Sequence, residues 1–157
     1  MAGRPLVLVV NGPNLDKLGT RQPEIYGSTT LAQLEGSLRA RAKELGLEVE
    51  FFQSNEESAV VEAARSAPRK GAAAILINPA ALTHFSRPLR EALASTGLPV
   101  VEVHISNIHA REPYRRLSLV SGVAKGVIAG LGVTGYALAL EAIAGMVGVP
   151  RDGDARG

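Results

Sequence analysis

The chain has 157 residues, 46% of them hydrophobic and 20% charged, which suits one domain with a full core of small aliphatic side chains. It has no cysteine, which excludes a disulfide framework, a thiolate nucleophile and cysteine-based metal sites, and fits a reducing compartment. The formal net charge is +2 and no basic tract stands out, so neither nucleic acid nor a charged membrane surface is an expected partner.

The start, "MAGRPLVLVV", is apolar too briefly for a signal peptide or a membrane span, and the expected setting is the cytoplasm. Within it, "PLVLVV" reads as a buried strand stopped by Asn11-Gly12-Pro13. Residues 11 to 29 then form a long polar loop in which no helix or strand is expected. "TLAQLEGSLRARAKELG" is a helix with Leu31, Leu34, Leu38, Ala42 and Leu45 on one face, a capping box from Thr30 and Gln33, and a stop at Gly46. "LEVEFFQ" is a second strand. "SNEESAVVEAARSAP" is a second helix, capped by Ser54 or Asn55. "AAAILIN" is a third strand, apolar throughout, as expected when both sheet faces are covered. "SRPLREALAST" is a third helix, opened by Ser86 with Pro88 in its first turn. "LPVVEVHI" is a fourth strand, followed by a polar loop from 106 to about 117. "VAKGVIAGLG" is a fifth strand, and "TGYALALEAIAGMVG" is the closing helix with Tyr136, Leu140, Ile143 and Val147 along one stripe. The tail "PRDGDARG" reads as frayed, so residues 1–150 form one domain and 151–157 a disordered end.

Strands alternating with helices imply an α/β chain with a five-stranded parallel sheet covered on both faces. In such sheets ligands bind beyond the carboxyl ends of the strands, at the topological switch point. The polar residues sort accordingly. Asn11, Asn14, Arg21 and Tyr26 follow the first strand. Asn78, Thr83 and His84 follow the third. Glu102, His104 and Ser106 end the fourth, with Arg111, Arg115 and Arg116 beyond. Taken singly, each has a plainer reading: a turn for Asn11 to Asn14, packing for Tyr26, a solvated charge for Arg21 or Arg115, a helix cap for His84, a core histidine for His104. Their convergence at one end of the sheet is what points to a site. Glu102 and His104 share one parity, and a carboxylate beside an imidazole fixes its tautomer. His109, in the loop, reads as structural.

The spacing of the three histidines does not suit a metal, and there is no HExxH, Walker A, GxGxxG or GxSxG. Acid–base chemistry without metal, cofactor or thiol remains. Free tyrosine has a pKa of about 10. A nearby arginine favours its anion, which gives Arg21 and Tyr26 a joint purpose on a closing lid. A base from one strand end and a histidine acid from another suit an elimination from a small anionic substrate.

"NGPNLDKLGTRQPEIYG", "INPAALTHFS", "EVHISNIHAREPYRR" and "GVIAGLGVTGY" resemble type II 3-dehydroquinate dehydratase, over roughly residues 6 to 148. The resemblance implies a flavodoxin-like three-layer sandwich and the third step of the shikimate pathway, the anti elimination of water from 3-dehydroquinate through an enolate, with no cofactor and no lysine Schiff base. Tyr26 matches the base and Arg21 the arginine that activates it. Asn14 matches the residue holding a water near the enolate oxygen. His104 matches the general acid, and Glu102 its support. Asn78, His84, Ile105, Ser106 and Arg115 match substrate-binding positions, the backbone amides of Ile105 and Ser106 facing a carboxylate. The resemblance also implies a dodecamer built from trimers. Glu91 takes the place of an aspartate that reaches toward a neighbouring subunit's site.

Phe85, Leu117, Leu119 and Gly122 also depart from the family pattern, at positions that touch substrate affinity and subunit packing rather than the acid or base. Two other readings stay in play on the residues alone. One is a non-catalytic flavodoxin-like module that holds a small anion in the same crevice, and its mark would be a missing acid or base. The other is a hydrolase, for which no nucleophile constellation is visible.

Overall fold

The computed structural model describes residues 3–20 and 22–149. The tail expected to fray, 151–157, and Arg21 lie outside the described residues. Five strands form one parallel sheet: β1 (Leu6–Asn11), β2 (Glu48–Gln53), β3 (Ala72–Asn78), β4 (Val100–His104) and β5 (Gly126–Ala129). Their order is β2-β1-β3-β4-β5, the flavodoxin-like winding, whose switch point lies between β1 and β3.

Alternation along each strand divides the core in two. Val7, Val9, Leu76, Val101 and Val103 pack with Leu34 and Leu38 of α2 (Leu31–Glu44) and with Leu140 and Ile143 of α6 (Thr134–Met146). Leu8, Val10, Ile75, Ile77 and Val100 pack with Val60 and Ala64 of α3 (Glu57–Arg65) and with Leu89 and Leu93 of α4 (Arg87–Ser95). Each fully buried leucine or valine contributes roughly 1.5–3 kcal/mol, so both layers are held mainly by aliphatic burial. Among the described residues no helix is long and apolar enough to cross a membrane.

Local signals set most boundaries. Thr30 and Gln33 form the expected capping box, and Gly46 ends α2 at φ +76°. Ser86 caps α4 by accepting from the Leu89 N–H. Two expectations are corrected. The cap of α3 is Glu56, because Ser54 Oγ accepts from the Glu56 N–H while Asn55 Oδ1 accepts from the Asn14 N–H at 2.8 Å. The first polar loop also contains a one-turn helix, α1 (Pro23–Tyr26). Pro23 opens it with its preset φ, and Gly27 closes it at φ +81°. The second polar loop holds a similar turn, α5 (Pro113–Arg116).

Candidate active site

The carboxyl ends of β1, β3 and β4 open into a cavity of about 410 Å³, a size that suits a small molecule. Its floor is set by the paired strand ends. Asn11 and Asn78 are opposite one another in the β1–β3 register, and both are buried. Tyr136 reaches them from α6, donating to Asn11 Oδ1 at 2.6 Å and accepting from Asn78 Nδ2 at 2.9 Å. Burial pushes the Tyr136 hydroxyl far up from its ordinary pKa, against the smaller pull of the Asn78 bond. It is therefore a neutral anchor. Asn78 Oδ1 in turn accepts from the Ala80 N–H, holding Ala80 at φ +53° where the chain bends into the cavity wall. Gly12 lets the two loops meet: a Cβ there would lie 2.5 Å from the Pro79 carbonyl oxygen.

On the other face of the sheet, β4 ends in a buried pair. Glu102 is 0% exposed and His104 5%. Glu102 Oε2 accepts from His104 Nε2 and from Ser118 Oγ, the latter at 2.9 Å, while Oε1 accepts from Ser121 Oγ at 2.8 Å. Burial works to raise the Glu102 pKa. The hydrogen bond and charge of His104, then the bonds from Ser121 and Ser118, outweigh it and hold the carboxyl below its ordinary value. With Nε2 engaged, Nδ1 is the nitrogen that His104 has left for a ligand.

Tyr26 enters from α1 and is half-buried against the core. Arg111 Nη1 donates to its hydroxyl at 3.1 Å. Arg116 braces this arginine by donating from Nε to the Arg111 carbonyl at 2.8 Å. His84 Nδ1 donates to the Leu117 carbonyl at 2.8 Å, which fixes its ring at the cavity wall. Arg115 Nε donates to Tyr114 Oη at 2.7 Å and pairs with Glu112 at 3.3 Å.

The cavity brings together most of the residues singled out from the sequence. Asn14 and Tyr26 line it from the first polar loop, and Asn78 and His84 from the end of β3 and the turn that follows it. His104, Ile105 and Ser106 line it from the end of β4, and Arg115 from α5. Glu102 lies behind His104 rather than in the wall. Glu91 stands on the outer side of α4 with its side chain 78% exposed, away from its own chain's cavity. Arg21 lies outside the described residues. His109 is exposed and does not line the cavity. Among the described residues no three His, Asp or Glu side chains are grouped to hold a metal.

Sequence reasoning did not single out Arg111, the partner of Tyr26 among the described residues. Arg111 was one of three arginines after β4, and nothing in their spacing separated it from Arg115 and Arg116. Tyr136 falls on the stripe of the closing helix, where its ring packs, but its hydroxyl's partners lie 58 and 125 residues away. Ser118 and Ser121 carried one signal, that they are the polar positions in the apolar stretch "LSLVSG".

The sequence pattern described as dehydroquinase class II matches residues 5–144. The chain belongs to the class II dehydroquinase family. It is 55% identical over 142 residues to a 3-dehydroquinate dehydratase of Methylococcus capsulatus, covering 90% of this chain and 94% of that one. It is 51% identical over 138 residues to a protein of Neosartorya fischeri named catabolic 3-dehydroquinase 1, covering 88% and 91%. The crystal structure of the type II dehydroquinase from Propionibacterium acnes matches with a TM-score of 0.87 at 43% identity, over 92% of this chain and 99% of that one. As in other class II dehydroquinases, then, the flavodoxin-like sheet is the scaffold on which this cavity is built.

Proposed function

We propose that this class II dehydroquinase converts 3-dehydroquinate to 3-dehydroshikimate by anti elimination of water through an enolate. The observation that carries the reading is the pairing of two unlike groups on one cavity, Tyr26 held by Arg111 and His104 held by Glu102. A guanidinium donating to the Tyr26 oxygen stabilises negative charge there. As the phenolate, Tyr26 removes the proton from the carbon next to the ketone, and the electron pair passes into an enolate. Asn14 holds a water against the enolate oxygen. As the enolate collapses to a carbon–carbon double bond, the carbon–hydroxyl bond breaks, and His104 delivers a proton to the departing oxygen, releasing water. Tyr26 ends protonated and His104 neutral, and both return to their starting states by exchange with solvent.

The remaining residues hold the substrate. The backbone amides of Ile105 and Ser106 and the side chains of Asn78, His84 and Arg115 face its oxygens, and a carboxylate suits the cationic wall made by Arg111 and Arg115. Arg21 joins Arg111 in favouring the tyrosine anion. Residues 1–150 act as one catalytic domain, trimers of which assemble into a dodecamer, with Glu91 reaching from the exposed side of α4 toward a neighbouring subunit's site. A binding module without chemistry has no need of an acid and a base, each with its own charged partner, in one cavity.

The test is a rate assay with purified protein and 3-dehydroquinate, following the ultraviolet absorbance of the conjugated enone. Activity unaffected by borohydride in the presence of substrate is expected. Tyr26→Phe is expected to abolish turnover by three orders of magnitude or more, roughly the upper range for one general base, with the fold retained. A near-normal rate in that variant rejects the assignment of Tyr26, and an absence of enone from a folded protein that binds substrate favours the binding module.

A further inference from the structure

We infer that Ser118 and Ser121, on the segment between α5 and β5, are positioning residues for the general acid: they hold the Glu102 carboxylate in the orientation and ionisation state that His104 requires. The inference rests on the reading of His104 as the acid, and goes beyond it by assigning a role to a segment that does not touch the substrate cavity.

The geometry is specific. Each Glu102 oxygen takes a hydroxyl, Oε1 from Ser121 at 2.8 Å and Oε2 from Ser118 at 2.9 Å, and His104 shares Oε2. A fully buried carboxylate needs this many donors to stay charged. The two serines differ in what else they do. Ser118 Oγ also accepts from the backbone N–H groups of Val120 and Ser121, so it shapes the turn on which both hydroxyls sit. Among the described residues Ser121 Oγ bonds Glu102 alone, which makes it the cleaner probe.

The same segment is tied to the rest of the site. The Leu119 N–H donates to the Thr83 carbonyl, Arg90 Nη1 of α4 donates to the Leu119 carbonyl at 2.9 Å, and the Leu117 carbonyl takes the His84 ring. Residues 117–121 therefore form a strap that orients one histidine directly and the other through Glu102. Gly122 leaves room for Arg90, since a Cβ there would lie 2.9 Å from Arg90 Nη1.

Among the described residues the charged and titratable groups around the pair are few. His104 lies on β4 itself, Arg90 comes from α4, and exposed Lys125 precedes β5. Tyr26, His84, Arg111 and Arg115 are on the cavity walls, and Tyr136 lies on the opposite face of the sheet. Arg90 donates to the Leu119 carbonyl and pairs with Glu91, and among the described residues the two hydroxyls are the donors, beside His104, that touch the carboxylate. Removing one makes Glu102 take up a proton at higher pH, because hydrogen bonds to the charged form are what favour it.

The experiment is the pH profile of kcat and KM for Ser121→Ala, Ser118→Ala and the conservative Ser121→Thr, alone and in a Glu102→Gln background, with His104→Asn as control. The expected result for Ser121→Ala is a second break on the acid side of kcat, below the limb set by Tyr26, moved up by about one pH unit, and a kcat at neutral pH lowered roughly tenfold. KM should change little, and Ser121→Thr should restore both. In the Glu102→Gln background Ser121→Ala should move nothing further. If that second break stays in place, or if the loss of kcat is the same with glutamine at 102, the positioning role is rejected. Should Ser118→Ala fail to fold, Ser121→Ala and its threonine rescue decide alone. If His104→Asn keeps its activity, it is the acid assignment that fails, a result separable from the first because it does not depend on the serines.

Discussion

Arg111 and Tyr26 are 85 residues apart in the chain, and a bond of 3.1 Å joins them at the cavity. A charge-assisted hydrogen bond is worth about twice a neutral one, and in the proposed mechanism its value lies in the negative charge it stabilises on the Tyr26 oxygen as the base. Arg111→Ala should therefore lower kcat about 30- to 100-fold, corresponding to roughly 2–3 kcal/mol, with a smaller change in KM. The same substitution made in Tyr26→Phe should add little, because the group it serves is already gone. Steady-state constants for the two single variants and the double variant check this, and additive losses would show that Arg111 acts on the substrate instead. Arg111→Lys should recover only part of the rate, since a flexible ammonium does not reproduce the planar guanidinium that donates to the Tyr26 oxygen. At this scale the sequence was legible in residue type and place. Tyr26, His84 and His104 stand where their strand ends put them. Partner identity was not legible, because a bond spanning 85 residues leaves no local pattern and Arg111 looks like its neighbours.

The elements show where local chemistry decides and where it is overruled. β3 and α4 form at the residues expected, because an unbroken apolar run and a serine followed by proline in the first turn are complete signals in themselves. α3 starts later than expected because Asn55, a residue that suits a cap, is taken by Asn14 from the far side of the first loop. β5 is shorter than its apolar stretch, ending before Gly130 at φ +89°, where a Cβ would press on Asn107. α1 has helix signals at both ends, but four residues are too few to show periodicity. The segment carrying Tyr26 depends on Gly19 at its base. Gly19 has φ +87°, and a Cβ there would lie 2.7 Å from the Ser28 carbonyl oxygen, a backbone atom with little room to retreat. Gly19→Ala should strain this segment by about 1–3 kcal/mol. Exposed segments open independently of the core, so the strain should appear as a loss of roughly tenfold or more in kcat/KM with a small change in the urea midpoint. Kinetics and urea unfolding on one preparation check it, and an unchanged kcat/KM would show that Tyr26 does not depend on how this segment is closed.

The whole molecule explains why a carboxylate can sit with no exposure at all at the end of β4. The strand lies between β3 and β5, helices cover both faces, and the strap at 117–121 seals the remaining side with two hydroxyls. The cost of burying Glu102 is met by His104 first and then by Ser121 and Ser118, which together hold its pKa below the ordinary value. Stability must then depend on pH with a definite sign. The unfolded chain binds the proton at a pKa of about 4.3, and the folded chain binds it only at lower pH. The contribution is fully present above the unfolded value and is lost as pH falls through the folded value. Glu102→Gln removes this term, leaving a neutral amide among donors arranged for an anion. The variant should be less stable than the parent at neutral pH, and the gap should narrow steadily as pH falls below about 4.3. Urea unfolding of both proteins from pH 7 down to pH 3 measures the gap directly. A gap independent of pH would mean that Glu102 contributes by shape alone, and that its charge, on which the support of His104 depends, is not what the fold protects.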